Sequence, residues 1–310
     1  METNKFDKII GQEKVKKRLC FFLEGQSKSL LSPHILFSAP RGSGKTLIAQ
    51  TYASYLVNKD GKKRKLITIN CSSLTRLKQF VNDILVPHVV GKEVTILFDE
   101  ASEIPRDITM ALLTILNPNR ENRNTFSYGD FNMEFNFKEV TFLFATTEAH
   151  KIFHALVDRL ERVDLEDYSL TNLATIVQNN ISAEIAEPVM QEISRVLRGN
   201  ARKATQMANH IALYLSASSK AIFDMDDWED FRVKMGINPL GLSPMEIKVL
   251  RCLGEKAETT LTNLSAKTHL TRQSLQRDTE IYLQKVNLIE VTPTGRKLTP
   301  IGRQYLESLK

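Results

Sequence analysis

Between the apolar run His34-Ile-Leu-Phe-Ser38 and a helical pattern carried by Leu47, Ile48, Ala49, Ala53 and Leu56 stand the residues Ala39-Pro-Arg-Gly-Ser-Gly-Lys-Thr46. A buried strand that passes through a Gly-rich loop straight into a helix leaves few choices of fold. The loop turns successive backbone N–H groups into one concavity, and the helix that starts there adds the positive end of its dipole. Such a concavity holds a polyphosphate. Arg41, Gly42, Ser43 and Gly44 supply the cradle, Lys45 reaches the β- and γ-phosphates, and the Thr46 hydroxyl binds Mg²⁺. A second apolar run, Ile96-Leu-Phe-Asp-Glu100, ends in two carboxylates. It brings Asp99 to the metal and Glu100 to a water. ATP and Mg²⁺ are the expected cofactors, and hydrolysis of a nucleoside triphosphate is the expected chemistry.

Five runs read as strands: 34–39, 66–71, 94–99, 140–146 and 163–166. Three are nearly unbroken apolar stretches, the pattern of strands covered on both faces in a parallel sheet. Helical patterns at 12–24, 45–57, 74–84 and 106–116 alternate with them, so residues 1–168 read as an α/β nucleotide-binding domain. From Ser169 the strand signals stop. Helices are expected at 171–181, 187–197, 202–215 and 226–235, making a small helical lid domain over 169–238. The acidic run Asp224, Asp226, Asp227, Glu229, Asp230 reads as the start of the last of them, since acids favour a helix N-terminus.

Asn238-Pro-Leu-Gly241 is turn chemistry and forms the linker to a third domain, 239–310. Ser243-Pro-Met-Glu246 is a capping box with Pro at the first helical position. Helices at 244–256, 261–268 and 272–286, a short hairpin from Leu288 to Leu298 and a last helix opened by Thr299-Pro300 make a winged helix. Its third helix carries Arg272 and Arg277 on the polar, basic face of a groove reader. Arg296 follows a Pro-Thr-Gly turn that is expected to project it outward. These three arginines are the expected DNA contacts. A winged helix used for protein contacts alone is the competing reading.

Charge agrees with a polyanionic partner. The net charge is +6, and +4 of it sits on residues 241–310. A solvated basic surface gives the same count. The N-terminus has no apolar segment of a secretion signal, and no stretch approaches the roughly 18 apolar residues of a membrane span. Three scattered cysteines, Cys20, Cys71 and Cys252, suit buried thiols in a reducing cytoplasm, with no disulfide framework.

With these residues in place, the chain resembles the RuvB Holliday-junction branch-migration motors, a branch of the AAA+ ATPases, over nearly its whole length. Ile9-Ile10-Gly11-Gln12 is similar to the family's V-G-Q box, which implies that the Ile10 backbone lies beside the adenine. Ala39–Thr46 resembles Walker A, with Ala39 in place of the first Gly, and Phe98-Asp-Glu100 resembles Walker B. Ala145-Thr-Thr147 resembles the sensor-1 segment, which implies that Thr147 bonds the attacking water or the γ-phosphate. Leu156-Val-Asp-Arg159 is similar to the L-R-D-R motif, which makes Arg159 an arginine finger. Arg198-Gly-Asn-Ala-Arg202 resembles the segment that carries the sensor-2 Arg, here Arg202.

The finger has a physical reason of its own: phosphoryl transfer spreads charge over the γ-oxygens, and a cation from a neighbouring subunit stabilises it. That ties hydrolysis to a closed ring, which the resemblance implies is a hexamer. A surface pair of Arg159 with Asp158 or Glu161 is the alternative. The resemblance further implies duplex DNA or a four-way junction as substrate. It also implies a RuvA-like protein docked on a hairpin between Leu116 and Phe137.

Three further groupings have plain readings. Lys59, Lys62, Lys63, Arg64 and Lys65 read as a solvated turn. His150 and His154 lack a metal-binding pattern. Phe126, Tyr128, Phe131, Phe135 and Phe137 read as a hairpin packed on its own domain or on a partner, more than as base-stacking groups. The function expected is ATP-driven translocation of duplex DNA in branch migration. The alternative is a loader- or regulator-type ATPase that binds DNA and places a partner protein.

Overall fold

The computed structural model describes residues 4–218 and 220–309. Five parallel strands build the main sheet: β1 (Ile35–Ser38), β2 (Lys65–Asn70), β3 (Val94–Asp99), β6 (Val140–Thr146) and β7 (Glu161–Asp164), in the order β2-β3-β6-β1-β7. A hairpin of β4 (Arg123–Tyr128) and β5 (Phe131–Asn136) lies between β3 and β6 in the chain.

The unbroken apolar runs have a direct cause. Side chains alternate across a strand, and here both faces are covered. Leu36, Ile96, Phe98, Phe142 and Phe144 face one core, while Ile35, Phe37, Leu97, Leu143 and Ala145 face the other. In the first, Phe98 stacks on Phe144 with ring centroids 4.9 Å apart. The hairpin packs on the same core through Met133, Phe135 and Phe137, with Phe126 and Tyr128 partly buried against it. Its aromatics are thus used within their own domain, and Phe131 at the tip is 42% exposed. The charge run before β2 differs from its reading as a solvated turn at one position. Arg64 is 4% exposed and donates to the carbonyls of Val57, Leu30 and Lys138 and to the Thr141 hydroxyl.

Helices cover the sheet: α1 (Glu13–Ser29), α2 (Lys45–Ala53), α3 (77–88, partly π-helical) and α4 (Arg106–Ile115). Beyond the sheet, Leu170–Asn179 starts at a reciprocal Ser169/Asn172 cap, and Met225–Met235 at an Asp224/Asp227 cap, as expected for the acidic run. Glu187–Val196 and Ala201–Ser218 complete this helical stretch, with two-residue strands at Glu184–Ile185 and Ile222–Phe223.

The chain forms two compact units. The first holds the sheet with helices Leu170–Asn179 and Ala201–Ser218; the second holds Glu187–Val196, Met225–Met235 and the C-terminal domain. The stretch expected as a lid, 169–238, is therefore shared between them. The C-terminal domain is a winged helix: Pro244–Gly254, Leu261–Thr268, a helix over 272–285, strands Ile289–Val291 and Arg296–Leu298, and Pro300–Ser308. Ser243, Thr260, Thr271 and Thr299 cap its four helices with their side chains.

Candidate nucleotide site

The parallel register sets the site. Ser38 pairs with Thr146, and Asp99 with Ala145, so the carboxyl ends of β1, β3 and β6 finish on one line. That is where open α/β sheets bind ligands. The loop after β1 has two residues in the left-handed region, Gly42 at φ +81 and Gly44 at φ +86. A Cβ on Gly42 would sit 2.3 Å from the Asn200 side chain, so only glycine fits there.

A cavity of about 420 Å³ opens over this line, bounded by Arg41, Gly42, Lys45, Thr46, Asp99, Glu100, Thr147 and Arg202 among others. It gathers nearly all the residues expected at the phosphates. Lys45, 8% exposed, donates to the carbonyls of Ala39 at 2.8 Å and Pro40 at 2.9 Å. Burial pushes its ammonium down to about 8 from the ordinary 10.5; Asp99 opposes that shift and Arg202 adds to it.

The Thr46 hydroxyl donates to both Asp99 carboxylate oxygens, at 3.0 and 3.2 Å. A hydroxyl and a carboxylate on one spot are the hard oxygen donors that Mg²⁺ takes. Glu100 is exposed to the cavity, at φ +57, and its N–H donates to Asp99 Oδ1 at 3.1 Å. A left-handed carboxylate residue at a strand end is strain of the kind kept at functional sites. Arg202 lies in the first turn of the helix Ala201–Ser218, with its N–H on the Gly42 carbonyl at 3.1 Å.

Two site residues lay outside the sequence expectations. Asn200 donates to the Arg41 carbonyl at 3.2 Å, and the Tyr168 hydroxyl to the Ser43 carbonyl at 3.2 Å. Both fix the loop from far along the chain. Only the nearness of Asn200 to Arg202 hinted at its use. Ile10 is half-buried and does not border the cavity. Gln12, two residues on, ties this segment to Glu166 by a reciprocal pair of 2.7 and 2.9 Å bonds. Arg159 borders a different cavity, with Leu31, His34, Leu116, Phe137 and Asp158. Neither surface pair offered as an alternative forms: Glu161 is engaged by Arg18.

Two families match the chain. The AAA family, ATPases associated with various cellular activities, matches residues 35–167, and the RuvB C-terminal winged helix domain matches residues 239–307. The chain is RuvB-like: an AAA+ ATPase domain with a RuvB-type winged helix. It is similar to the Holliday junction branch migration complex subunit RuvB of Mycoplasmopsis pulmonis, 25% identical over 98% of this chain and 96% of the relative. The RuvB of a Wolbachia from Brugia malayi is 24% identical over 99% of this chain and 93% of its own. In structure the chain resembles the Thermotoga maritima RuvB Holliday junction branch migration motor, with a TM-score of 0.77 at 21% identity, covering 97% of this chain and 96% of that one. This last likeness concerns the fold.

In the winged helix of this RuvB-like protein, Arg272 and Arg277 are exposed on the third helix. Arg296 is not projected outward. Its guanidinium makes a two-point pair with Glu280, at 2.8 and 3.2 Å, with side chains 12% and 3% exposed. The Pro-Thr-Gly turn instead sends Thr292 and Thr294 to the Glu258 carboxylate. Arg296 thus fastens the wing to the third helix. Truncating it leaves a buried carboxylate without its cation. Arg296→Ala is expected to destabilise the winged helix by about 3–5 kcal/mol, and replacing both partners by Met to recover most of that. Denaturant midpoints check it; a single variant as stable as the parent would show that the pair is not buried in effect.

No helix is long and apolar enough to cross a membrane, no group of three or more His, Cys, Asp and Glu could hold a metal, and Cys20, Cys71 and Cys252 are buried, all among the described residues.

Proposed function

We propose that this ATPase is a ring-forming motor that moves duplex DNA and migrates four-way junctions. The observation that carries the reading is the separation of Arg159 from the Lys45–Asp99 cavity. A cation outside its own nucleotide site serves catalysis only in a neighbour's, which favours a closed, head-to-tail ring, a hexamer by likeness to its relatives. Within a protomer, Lys45 and the loop N–H groups hold the phosphates, Glu100 orients the water, and Thr147 and Arg202 bond the γ-phosphate. Thr46 and Asp99 hold Mg²⁺, which neutralises phosphate charge when bound.

Residues 1–168 bind nucleotide, 169–238 form the lid, and 239–310 grip DNA through Arg272 and Arg277. The curated relatives, named as subunits of a Holliday junction branch migration complex, support a junction substrate, and the motor is placed in the cytoplasm as part of the same proposal. A RuvA-like partner docked on the hairpin of β4 and β5 completes the proposal. ATP-dependent dissociation of a synthetic four-way junction, with and without a RuvA-type protein, is the test. Hydrolysis with no movement of any junction or duplex would favour the loader-type alternative.

The Lys45 ammonium gives a second check. Phosphates beside it favour the charged form and draw its pKa back up. In the free site it loses its proton as pH rises through about 8, whereas in the nucleotide complex it keeps it. ATP binding at about pH 9 is therefore expected to take up close to one proton through this group, and at about pH 7 almost none. Calorimetry in buffers of different ionisation enthalpy measures the uptake. Equal uptake at both pH values would remove Lys45 from the phosphates.

A further inference from the structure

The guanidinium of Arg159 is held in an unusual way for a buried-edge arginine. Nη1 donates to the Ala155 carbonyl at 2.6 Å, and Nη2 to the Asn117 side-chain oxygen at 3.2 Å. Its Nε makes no hydrogen bond, and no carboxylate pairs with the group, among the described residues. Both acceptors are neutral. They fix the direction of the cation without cancelling its charge, whereas a carboxylate would weaken its field and have to be given up on each turnover.

Asn117 is itself braced. It follows α4, and its carbonyl accepts from the Asn124 amide at 2.6 Å; the same amide donates to the Ile115 carbonyl at 2.8 Å. Asn119 adds bonds to the Arg123 carbonyl, at 2.6 Å, and to the Asn124 side chain. Asn124 lies in β4, paired with Phe135, a fully buried residue of the domain core. A row of asparagines that reads in sequence as loop composition thus connects the root of the hairpin to Arg159.

We propose that Asn117, braced by Asn124, is a positioning residue for the Arg159 finger, so that the hairpin root and the finger move as one piece. This rests on the reading of Arg159 as a finger acting in a neighbour's site. Losing a charged-group hydrogen bond and the aim it gives is expected to lower kcat for ATP about tenfold in Asn117→Ala, and about threefold in Asn124→Ala. KM should change less than about twofold, because the variant's own phosphate cavity is intact.

Mixing separates this from a folding defect. Lys45→Ala protein has no working cavity but an intact finger. In excess, it is expected to restore turnover in the sites of Asn117→Ala protein, as in those of Arg159→Ala protein. An unchanged kcat in Asn117→Ala overturns the proposal. So does a loss that mixing leaves in place while Arg159→Ala is rescued, since the defect would then lie in the variant's own site or fold. If Arg159→Ala is not rescued in rings shown to be mixed, the finger reading fails, and the positioning role fails with it.

Discussion

Arg159→Ala is expected to bind ATP with nearly unchanged affinity and to hydrolyse it about 10³–10⁵-fold more slowly. Arg159 does not border the cavity of Lys45, Asp99 and Glu100, so its loss leaves ground-state contacts to the nucleotide alone. What is lost is a cation that meets the charge developing on the γ-oxygens from the adjoining protomer. Arg159→Lys should recover little. A lysine is a compact point charge and lacks the planar fork that the Ala155 and Asn117 oxygens hold from one side. Phosphate release and calorimetric binding measure the two quantities separately. A weakened affinity with unchanged kcat would mean that Arg159 acts on nucleotide binding.

Glu100→Gln is expected to keep ATP and to lose turnover by about 10²–10⁴-fold. Glu100 is displayed in the cavity at a left-handed backbone position, beside an Asp99 already engaged by Thr46. The two carboxylates therefore divide the work, one toward the metal and one toward the water. Glutamine keeps the shape and removes the base. Lys45→Ala, by contrast, should fail to bind, because Lys45 meets phosphates in the ground state. Trapping of unhydrolysed ATP in the first variant, and its absence in the second, tells these roles apart. Ordinary turnover in Glu100→Gln would move the base elsewhere.

The sheet and the phosphate loop were legible because their causes are local. Strands covered on both faces must be apolar along most of their length, and β1, β3 and β6 are. Helix starts were legible for the same reason: Ser169, Asp224, Ser243 and Thr299 cap within three residues of themselves. What stayed hidden depends on partners remote in sequence. Arg64 sits in a run of lysines, and nothing nearby tells that Leu30 and Lys138 will enclose it. Arg296 follows a turn of readable chemistry, yet its direction is set by Glu280, sixteen residues earlier and buried. Tyr168 and Asn200 reach the phosphate loop from over a hundred residues away. The asparagines of 117–124 look like loop residues because most of their bonds are local, to a nearby backbone or to one another, while the bond from Arg159 to Asn117 spans 42 residues.

The pair between Arg296 and Glu280 also bears on how DNA binding responds to ionic strength. Mobile ions screen exposed charges within about 10 Å at 0.1 M salt and reach buried pairs far less. The wing therefore keeps its seat on the third helix from dilute buffer to concentrated salt. A plot of log affinity against log salt then has one source of slope, the counterions displaced from phosphates, at about 0.9 per contact. For this winged helix, a straight line over the whole range counts the lysines and arginines on the DNA. A bend would signal that the wing had come loose.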